Sequence, residues 1–251
     1  NIDLWTTPNN KPNDTFMFEL YSNPKVNICD INKYITEDEY SSIKELMAMS
    51  DLFRFRLLAD KGGVWLDCDM VLFKHLPNLC DVDGGIQCSS EGTIIKGAFK
   101  STLKRVANIG FMRVEGDVGK EKMKNLVNQI EKKMAKGNFV KGINCMKVFR
   151  DGLKGLYSDE DTEAKGLYIH KEDDFCPINW FWAKEIYTEP NGGSFKQKYG
   201  SKCIYNDITD IQEKCIGFHL WNNLATKYDV FNHKNYGTNS IFGNLRDFFE
   251  V

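Results

Sequence analysis

Two aspartates one residue apart are the feature of the sequence best suited to chemistry. Asp67 and Asp69 interrupt an apolar stretch, with VWL at residues 64–66 before them and MVLF at residues 70–73 after them. In an extended chain both carboxylates would face the same way, with Cα atoms about 6.6 Å apart. Hard oxygen ligands placed so closely suit Mg²⁺ or Mn²⁺. Two solvated aspartates that begin a turn remain the alternative, but carboxylates within an apolar stretch favour a site.

A second candidate pair precedes this motif. Asp51 and Arg54 are three residues apart and would share one face of a helix, from which they could orient a polyhydroxylated or anionic ligand. A plain ion pair within the helix explains the same spacing.

A third pair lies near the far end of the sequence. In the alternating segment Ile216–Trp221, His219 and Trp221 would project from one side of a strand. Imidazole is a ligand for ions such as Mn²⁺, and an indole N–H can donate to a phosphate oxygen. A polar histidine satisfied within the core is the alternative. The aromatic run Trp180–Trp182 fits either a sugar-stacking surface or core packing.

The elements around these residues alternate between strands and helices. Residues 2–5 and 64–66 are predicted as strands, the second of them buried. Thr36 and Glu39 form a capping box that predicts a helix from about residue 37, and a second helix is expected over residues 51–60, ended by glycines at 62 and 63. A third should run from Asp117, with an apolar stripe, to Gly137. This order predicts an α/β fold with ligands at the carboxyl ends of its strands.

Composition excludes several classes of protein. The chain has 251 residues, 42% of them hydrophobic, and a net charge of −2, so we expect one compact domain without the positive field that nucleic acid requires. It has no run of 18 apolar residues, so no membrane span is expected, and no signal peptide. The cytoplasm is favoured, and the Golgi or endoplasmic reticulum lumen stays open if an upstream anchor has been removed. The eight cysteines are scattered and include no CxxC pair, which argues against a structural zinc site.

Several segments together resemble one family. SDLFR at residues 50–54, KGGVWLDCD at residues 61–69, FCPINW at residues 175–180 and FHLWN at residues 218–222 occur in the order found in glycosyltransferases with a DXD-containing sugar-binding region. These include alpha-1,4-galactosyltransferases, alpha-1,4-N-acetylglucosaminyltransferases and initiating mannosyltransferases. Asn108 stands where that family has an asparagine after the DXD strand.

The resemblance implies a fold and an activity. It implies a single GT-A, Rossmann-like domain over residues 1–251 with a mostly parallel central sheet, its donor and metal half at about 1–115 and its acceptor-side half at about 116–251. The activity would be retaining transfer of a sugar from a nucleotide-sugar donor to a glycan or other hydroxyl acceptor, with a UDP-sugar favoured and a GDP-sugar as the alternative. The cofactor would be Mn²⁺, or Mg²⁺ in its place.

The resemblance also implies roles for particular residues. Asp69 and His219 would ligate the metal, and Asp67 would contact the donor or reach the metal through water. Asp67, Asp69 and Asn108 would form the catalytic group. The donor would be held by Asp51 and Arg54 at its sugar hydroxyls, by Trp221 at its diphosphate and by Trp5 at its base.

Two other functions compete with this one. Residues 66–71 also fit the motif of haloacid dehalogenase-type phosphohydrolases, in which Asp67 would be the nucleophile. That motif normally opens its domain, and Asp207 with Asp210 is the best late acidic pair available to it. The other alternative is a catalytically silent sugar-binding protein that has kept the fold.

Overall fold

The structure is a computed structural model of the 251-residue chain. It describes residues 2–6, 21–43, 46–76, 85–96, 101–135, 163–164, 167–188, 205–227 and 240–249. The expected helix end at Gly137 and a glycosylation sequon at residues 13–15 lie outside these ranges.

The described elements include both strands and helices, mostly in runs of two or more of one kind. The strands are β1 (Ile2–Thr6), β2 (Val26–Asp30), β3 (Gly63–Leu66), β4 (Met70–Leu72), β5 (Ile86–Lys96), β6 (Ser101–Val114), β7 (Glu163–Ala164), β8 (Leu167–Ile169) and β9 (Gly217–His219). The helices are α1 (Glu37–Ser42), α2 (Leu46–Lys61), α3 (Gly116–Ala135), α4 (Glu172–Phe175), α5 (Ala183–Tyr187), α6 (Ile208–Lys214), α7 (Asn222–Lys227) and α8 (Ile241–Phe248). Mixed helices and strands confirm the predicted α/β class.

The chain forms two compact units. The first comprises Asn1–Gly62 with Lys120–Gly152, and the second comprises Gly63–Gly119 with Leu153–Val251. In the described part of the chain, no helix is both long enough and apolar enough to cross a bilayer.

The first unit contains a short parallel sheet and the helices α1 and α2. Strands β1 and β2 pair in parallel, from Ile2 opposite Val26 to Thr6 opposite Asp30. The predicted capping box of α1 is confirmed, because Thr36 Oγ1 accepts from the Glu39 N–H and the Glu39 carboxylate accepts from the Thr36 N–H.

Helix α2 ends as predicted but begins earlier. Gly62 has φ 66° and its N–H donates to the Leu58 carbonyl oxygen at 3.0 Å, so glycine ends the helix in the left-handed conformation. The predicted start at residue 51 was wrong, since α2 begins at Leu46. Ala48 and Met49 are buried good helix formers, and their burial extends the helix by a turn before Asp51.

The apolar stripe of α3 is confirmed at four of its five positions. Met123 and Ile130 have no exposure, Leu126 and Val127 are buried, and Met134 is partly exposed. Such a stripe lets one face of the helix join the core while its charged residues stay in solvent.

The second unit is built on a mixed sheet with the strand order β3-β6-β5-β8-β7. Of its four described pairings, only β5 with β8 is parallel. The expected mostly parallel central sheet is therefore not found among the described strands. The reason is that β5 and β6, which follow each other in the chain, pair antiparallel from Ile86 opposite Val114 to Lys96 opposite Ser101, where a β-α-β connection would have made a parallel pair.

Strand β3 is confirmed, but its predicted burial is wrong. Among the described strands β3 pairs with β6 alone and so lies at the edge of the five-stranded sheet, where Val64 is 46% exposed. A separate two-stranded sheet joins β4 to β9, with Met70 opposite His219 and Leu72 opposite Gly217. The core beside it contains Phe111, Phe175 and Phe218, each essentially without exposure.

Candidate metal centre

The D-x-D motif lies in a turn between β3 and β4. The Met70 N–H donates to the Asp67 carbonyl oxygen at 3.0 Å, which closes a four-residue turn, and the Asp67 N–H donates to the Gly110 carbonyl oxygen on β6 at 2.8 Å. Cys68, at the tip, is exposed. The extended geometry expected for residues 67–69 was therefore wrong, because β3 ends at Leu66 and the chain must turn to enter β4.

The pairing of β4 with β9 brings Asp69 beside His219. The Leu220 N–H donates to the Asp69 carbonyl oxygen at 2.8 Å, and Asp69 Oδ1 lies 3.2 Å from His219 Nε2. The other oxygen of Asp69 accepts from the Asn222 N–H at 2.9 Å. Backbone and side chain of one aspartate thus fix the register between two distant parts of the sequence.

Asp67 completes a group that could hold a divalent cation. One ligand atom from each of Asp67, Asp69 and His219 lies within 4.8 Å of the others. Asp67 is oriented by Trp65, whose Nε1–H donates to Asp67 Oδ1 at 2.7 Å. His219 is 6% exposed, and its Nδ1 has no hydrogen-bond partner among the described residues. Two carboxylates and an imidazole are a donor set that fits Mn²⁺.

The charge state of Asp69 suits this role. Burial raises the pKa of its carboxyl, but the hydrogen bond and charge of His219 together with the Asn222 N–H lower it, and the net effect is a pKa below the usual value. Asp69 therefore stays ionised in a largely buried position. An ionised carboxylate beside a second one is a favourable place for a cation.

Because Gly110 has no side chain, the side chains of Asn108, His219 and Met70 can all lie close to it. A Cβ atom at this position would lie 3.0 Å from Asn108 Oδ1, 3.3 Å from His219 Cε1 and 3.3 Å from Met70 Sδ. Asn108 itself is 8% exposed, accepts from the Gly110 N–H at 2.7 Å and donates from Nδ2 to Glu91 Oε2 at 2.7 Å. The structure thus brings Asn108 next to the Asp67, Asp69 and His219 group.

Trp221 follows β9 in an unusual conformation. Its φ of 56° lies in the left-handed region, which is costly for a bulky residue, and its ring stacks on His219 with centroids 3.8 Å apart. Its indole N–H, which we expected to face a phosphate, donates to the Ile178 carbonyl oxygen at 3.0 Å. In this structure Trp221 therefore supports the His219 ring from inside the core, where it is 8% exposed.

The aromatic run of residues 180–182 forms a 3-10 turn before α5. Trp180 and Trp182 pack against the hydrophobic core of the second unit. Core packing is thus the role that the structure supports for these two residues.

Three further candidates lie in the first unit. Arg54 is 4% exposed, and its Nη2 lies 3.8 Å from Asp51 Oδ1, so the two share a helix face as predicted. Trp5 packs against Tyr34 and Phe53, with ring centroids 5.4 and 5.6 Å away. The donor-binding roles of Trp5, Asp51 and Arg54 remain proposals.

The acidic pair required by the phosphohydrolase alternative has another role. Asp207 is the N-cap of α6 and accepts from the Asp210 N–H at 3.0 Å. Asp210 accepts from Asn206 and forms an ion pair with Lys214 at 3.1 Å. Both carboxylates thus stabilise α6, Asp207 as its N-cap and Asp210 from the first turn through its pair with Lys214, which weakens the assignment of Asp67 as a nucleophile with these partners.

Sequence reasoning missed several residues around the centre. Glu91, Ser89 and Gly110 lie on β5 and β6, and Asn222 contributes only its backbone N–H to Asp69. A long antiparallel pairing over residues 86–114 would have pointed to the first three, since Ser89 pairs with Asn108 in its register.

Comparison with known proteins gives one match. Residues 5–84 match a family model described as a glycosyltransferase sugar-binding region containing a DXD motif. No curated protein matches the chain, and no solved structure does. The matched segment contains Asp67 and Asp69 of the candidate metal centre, and the match supports the glycosyltransferase family.

Proposed function

We propose that the protein is a metal-dependent glycosyltransferase that moves a sugar from a nucleotide-sugar donor, most readily a UDP-sugar, to a hydroxyl acceptor with retention of configuration. The observation that carries the proposal is the convergence of Asp67, Asp69 and His219, two of which lie in the segment that matches the DXD family model. The proposal takes residues 1–251 as one glycosyltransferase domain.

The three residues provide the protein's share of a cation site. Asp67 and Asp69 offer carboxylate oxygens, and His219 offers a ring nitrogen. The imidazole ring of His219 is held in place by stacking on Trp221. When bound, Mn²⁺ or Mg²⁺ would supply positive charge where negative charge develops on the departing diphosphate.

The surroundings of the centre limit the role of water. His219, Asn108 and Trp221 are each less than a tenth exposed, and the core of the second unit lies behind them. The burial of these three side chains keeps water from one side of the group, which would favour transfer to a bound acceptor over hydrolysis. Because we propose retention and assign no nucleophile among the side chains, the acceptor hydroxyl would bond to C1 of the sugar from the face at which the C1–diphosphate bond breaks. Its proton would pass to the leaving phosphate oxygen.

A turnover assay tests the proposal. We expect Mn²⁺-dependent release of nucleoside diphosphate from at least one UDP- or GDP-sugar, and we expect Asp69→Asn to abolish it. The matched control is Asp38→Asn, which changes an exposed carboxylate on α1 and should leave turnover unchanged. Absence of both binding and turnover across the common sugar nucleotides with Mn²⁺ would refute the proposal. Donor binding without turnover across a broad acceptor panel would instead support the silent sugar-binding alternative.

A further inference from the structure

Asn108 holds three of its neighbours through its side-chain amide. Its Oδ1 accepts from the Gly110 N–H at 2.7 Å and from Ser89 Oγ at 3.2 Å, and its Nδ2 donates to Glu91 Oε2 at 2.7 Å. These bonds fix which way the amide points. Among the groups that Asn108 holds is a carboxylate, that of Glu91 on β5, whose direction it sets.

Glu91 lies on the same side of the second unit as the metal centre. Asn108 Oδ1 and His219 Cε1 lie 3.0 and 3.3 Å from the position that a Cβ of Gly110 would take, so one glycine separates the amide from the imidazole.

Glu91 is also more accessible than the residue that holds it. Asn108 is 8% exposed, whereas Glu91 is partly exposed. The carboxylate of Glu91 is therefore held in one orientation by Asn108 and is still accessible to a ligand.

The negative charge of Glu91 restricts what can lie against it. A phosphate would be repelled, since two like charges at contact distance in a partly buried site are strongly unfavourable. An uncharged hydroxyl is the opposite case, because a hydroxyl that donates to a carboxylate forms a charge-assisted bond. In a nucleotide sugar, the uncharged hydroxylated part nearest the cation-bound diphosphate is the transferred sugar.

We propose that Glu91 accepts a hydrogen bond from a hydroxyl of the transferred sugar and that Asn108 is the positioning residue that aims it. This inference rests on the proposed function. It assigns to Glu91 a part in selecting the donor by its hydroxyl pattern. Glu91 lies outside the segment that matches the family model.

The test uses Glu91→Gln, which keeps an oxygen that can accept from Asn108 Nδ2 but loses the charge. By calorimetry with Mn²⁺ present, we measure binding of the sugar nucleotide that the wild type turns over and of its nucleoside diphosphate alone. We expect the variant to bind the sugar nucleotide about tenfold more weakly, since a bond to a charged group contributes about 1.5 kcal/mol or more. The Kd for the nucleoside diphosphate should stay within about twofold of the wild type.

A deoxy-sugar panel then identifies the bond. One deoxy analogue of the donor should bind the wild type about tenfold more weakly than the parent sugar nucleotide but should bind Glu91→Gln as well as the parent does. The control variant is Glu115→Gln, which removes a carboxylate that pairs with Arg113 just after β6 and should change none of these values.

Each outcome of the test has a defined meaning. Equal loss of nucleoside diphosphate and sugar nucleotide binding in Glu91→Gln would overturn the inference, because it would mean that the metal centre itself is disturbed. A change confined to the KM of the acceptor would also overturn it, as would wild-type binding of both ligands. In these cases the proposed function still stands if the wild-type protein turns over donor with Mn²⁺. If the wild-type protein binds no sugar nucleotide, the proposed function fails and the inference fails with it.

Discussion

Asp69 is bonded through its two carboxylate oxygens to His219 and to Asn222, the latter 153 residues later in the chain. The same residue therefore fixes the β4–β9 pairing and presents an ionised oxygen to a cation. Removing its charge should affect ion binding far more than folding, because the backbone bonds between β4 and β9 remain.

The substitution Asp69→Asn separates these two roles. Asparagine keeps an oxygen that can accept from the Asn222 N–H, so we expect the protein to stay folded. Its Mn²⁺ affinity should fall by at least about 100-fold, since even residues behind metal ligands contribute 10- to 100-fold. Isothermal calorimetry gives the affinity and circular dichroism the fold. Unchanged Mn²⁺ affinity in a folded variant would remove Asp69 from the metal centre.

Two glycines near the centre should respond differently to alanine. A Cβ at Gly110 would crowd Asn108 Oδ1 and His219 Cε1 at 3.0 and 3.3 Å, both of which are side-chain atoms that can shift by a few tenths of an ångström. Gly110→Ala should therefore keep the fold and lower turnover by about tenfold or more. A Cβ at Gly217 would lie 2.6 Å from the Val71 carbonyl oxygen, in the β4–β9 pairing itself.

Gly217→Ala is accordingly expected to lower the free energy of unfolding by about 1–3 kcal/mol. Thermal denaturation and steady-state turnover, measured on both variants, check the contrast. A Gly110→Ala protein with wild-type turnover would show that the positions of Asn108 and His219 do not matter for activity.

The charge cluster of the first unit predicts a pH dependence of stability. Arg56 binds Glu39 through two nitrogens, at 2.7 and 2.8 Å, and it also pairs with Glu131. The hydrogen bond from Arg56 lowers the pKa of Glu39 most, burial opposes it, and the Thr36 N–H lowers it further. A carboxyl with a lowered folded pKa contributes stability above its unfolded pKa and loses that contribution as the pH falls through the folded value.

Glu39→Gln should therefore lower the free energy of unfolding by about 1–3 kcal/mol at pH 7. The difference from wild type should shrink as the pH falls below 4.5, the ordinary pKa of this carboxyl. Urea denaturation at pH 7, 5 and 3 measures it. A difference that is constant over this range would contradict the role of the ionised Glu39.

The exposed thiol of Cys68 reports on the turn between the two aspartates. Cys88, Cys176 and Cys215 are buried, and burial raises the pKa of Cys215 to about 11. We expect Cys68 to be alkylated before these three in the native protein, and Mn²⁺ with nucleoside diphosphate to slow its alkylation several-fold. Peptide mass spectrometry of iodoacetamide-treated protein gives the site. Alkylation of Cys68 at the same rate with and without these ligands would place the ligands elsewhere.

Short-range patterns in the sequence were sufficient to predict a helix that has a capping box, a helix that ends at a glycine and a helix that has an apolar stripe. The capping box at Thr36 and Glu39, the glycine at the end of α2 and the apolar stripe of α3 each depend on neighbours within about four residues. The start of α2 was missed because burial of Ala48 and Met49 outweighed the capping preference of Ser50 and Asp51.

The direction of the β5–β6 pairing and the turn at residues 67–70 could not be predicted from the sequence. The pairing of β5 with β6 is a contact between segments of the chain, and no local pattern states its direction. The same holds for Asp67 and Asp69, which face one centre because a turn closed by the Met70 N–H brings them round, and not because they alternate along a strand. The placement of Glu91 beside Asn108 follows from that pairing and was missed with it.

The central claim is that one divalent cation binds to Asp67, Asp69 and His219, and pulsed electron paramagnetic resonance of the Mn²⁺-loaded protein tests it most directly. We expect one Mn²⁺ per chain with coupling to a ring nitrogen, and we expect that coupling to disappear in His219→Gln. A chain that binds no Mn²⁺, or a nitrogen coupling that survives in His219→Gln, would contradict the account.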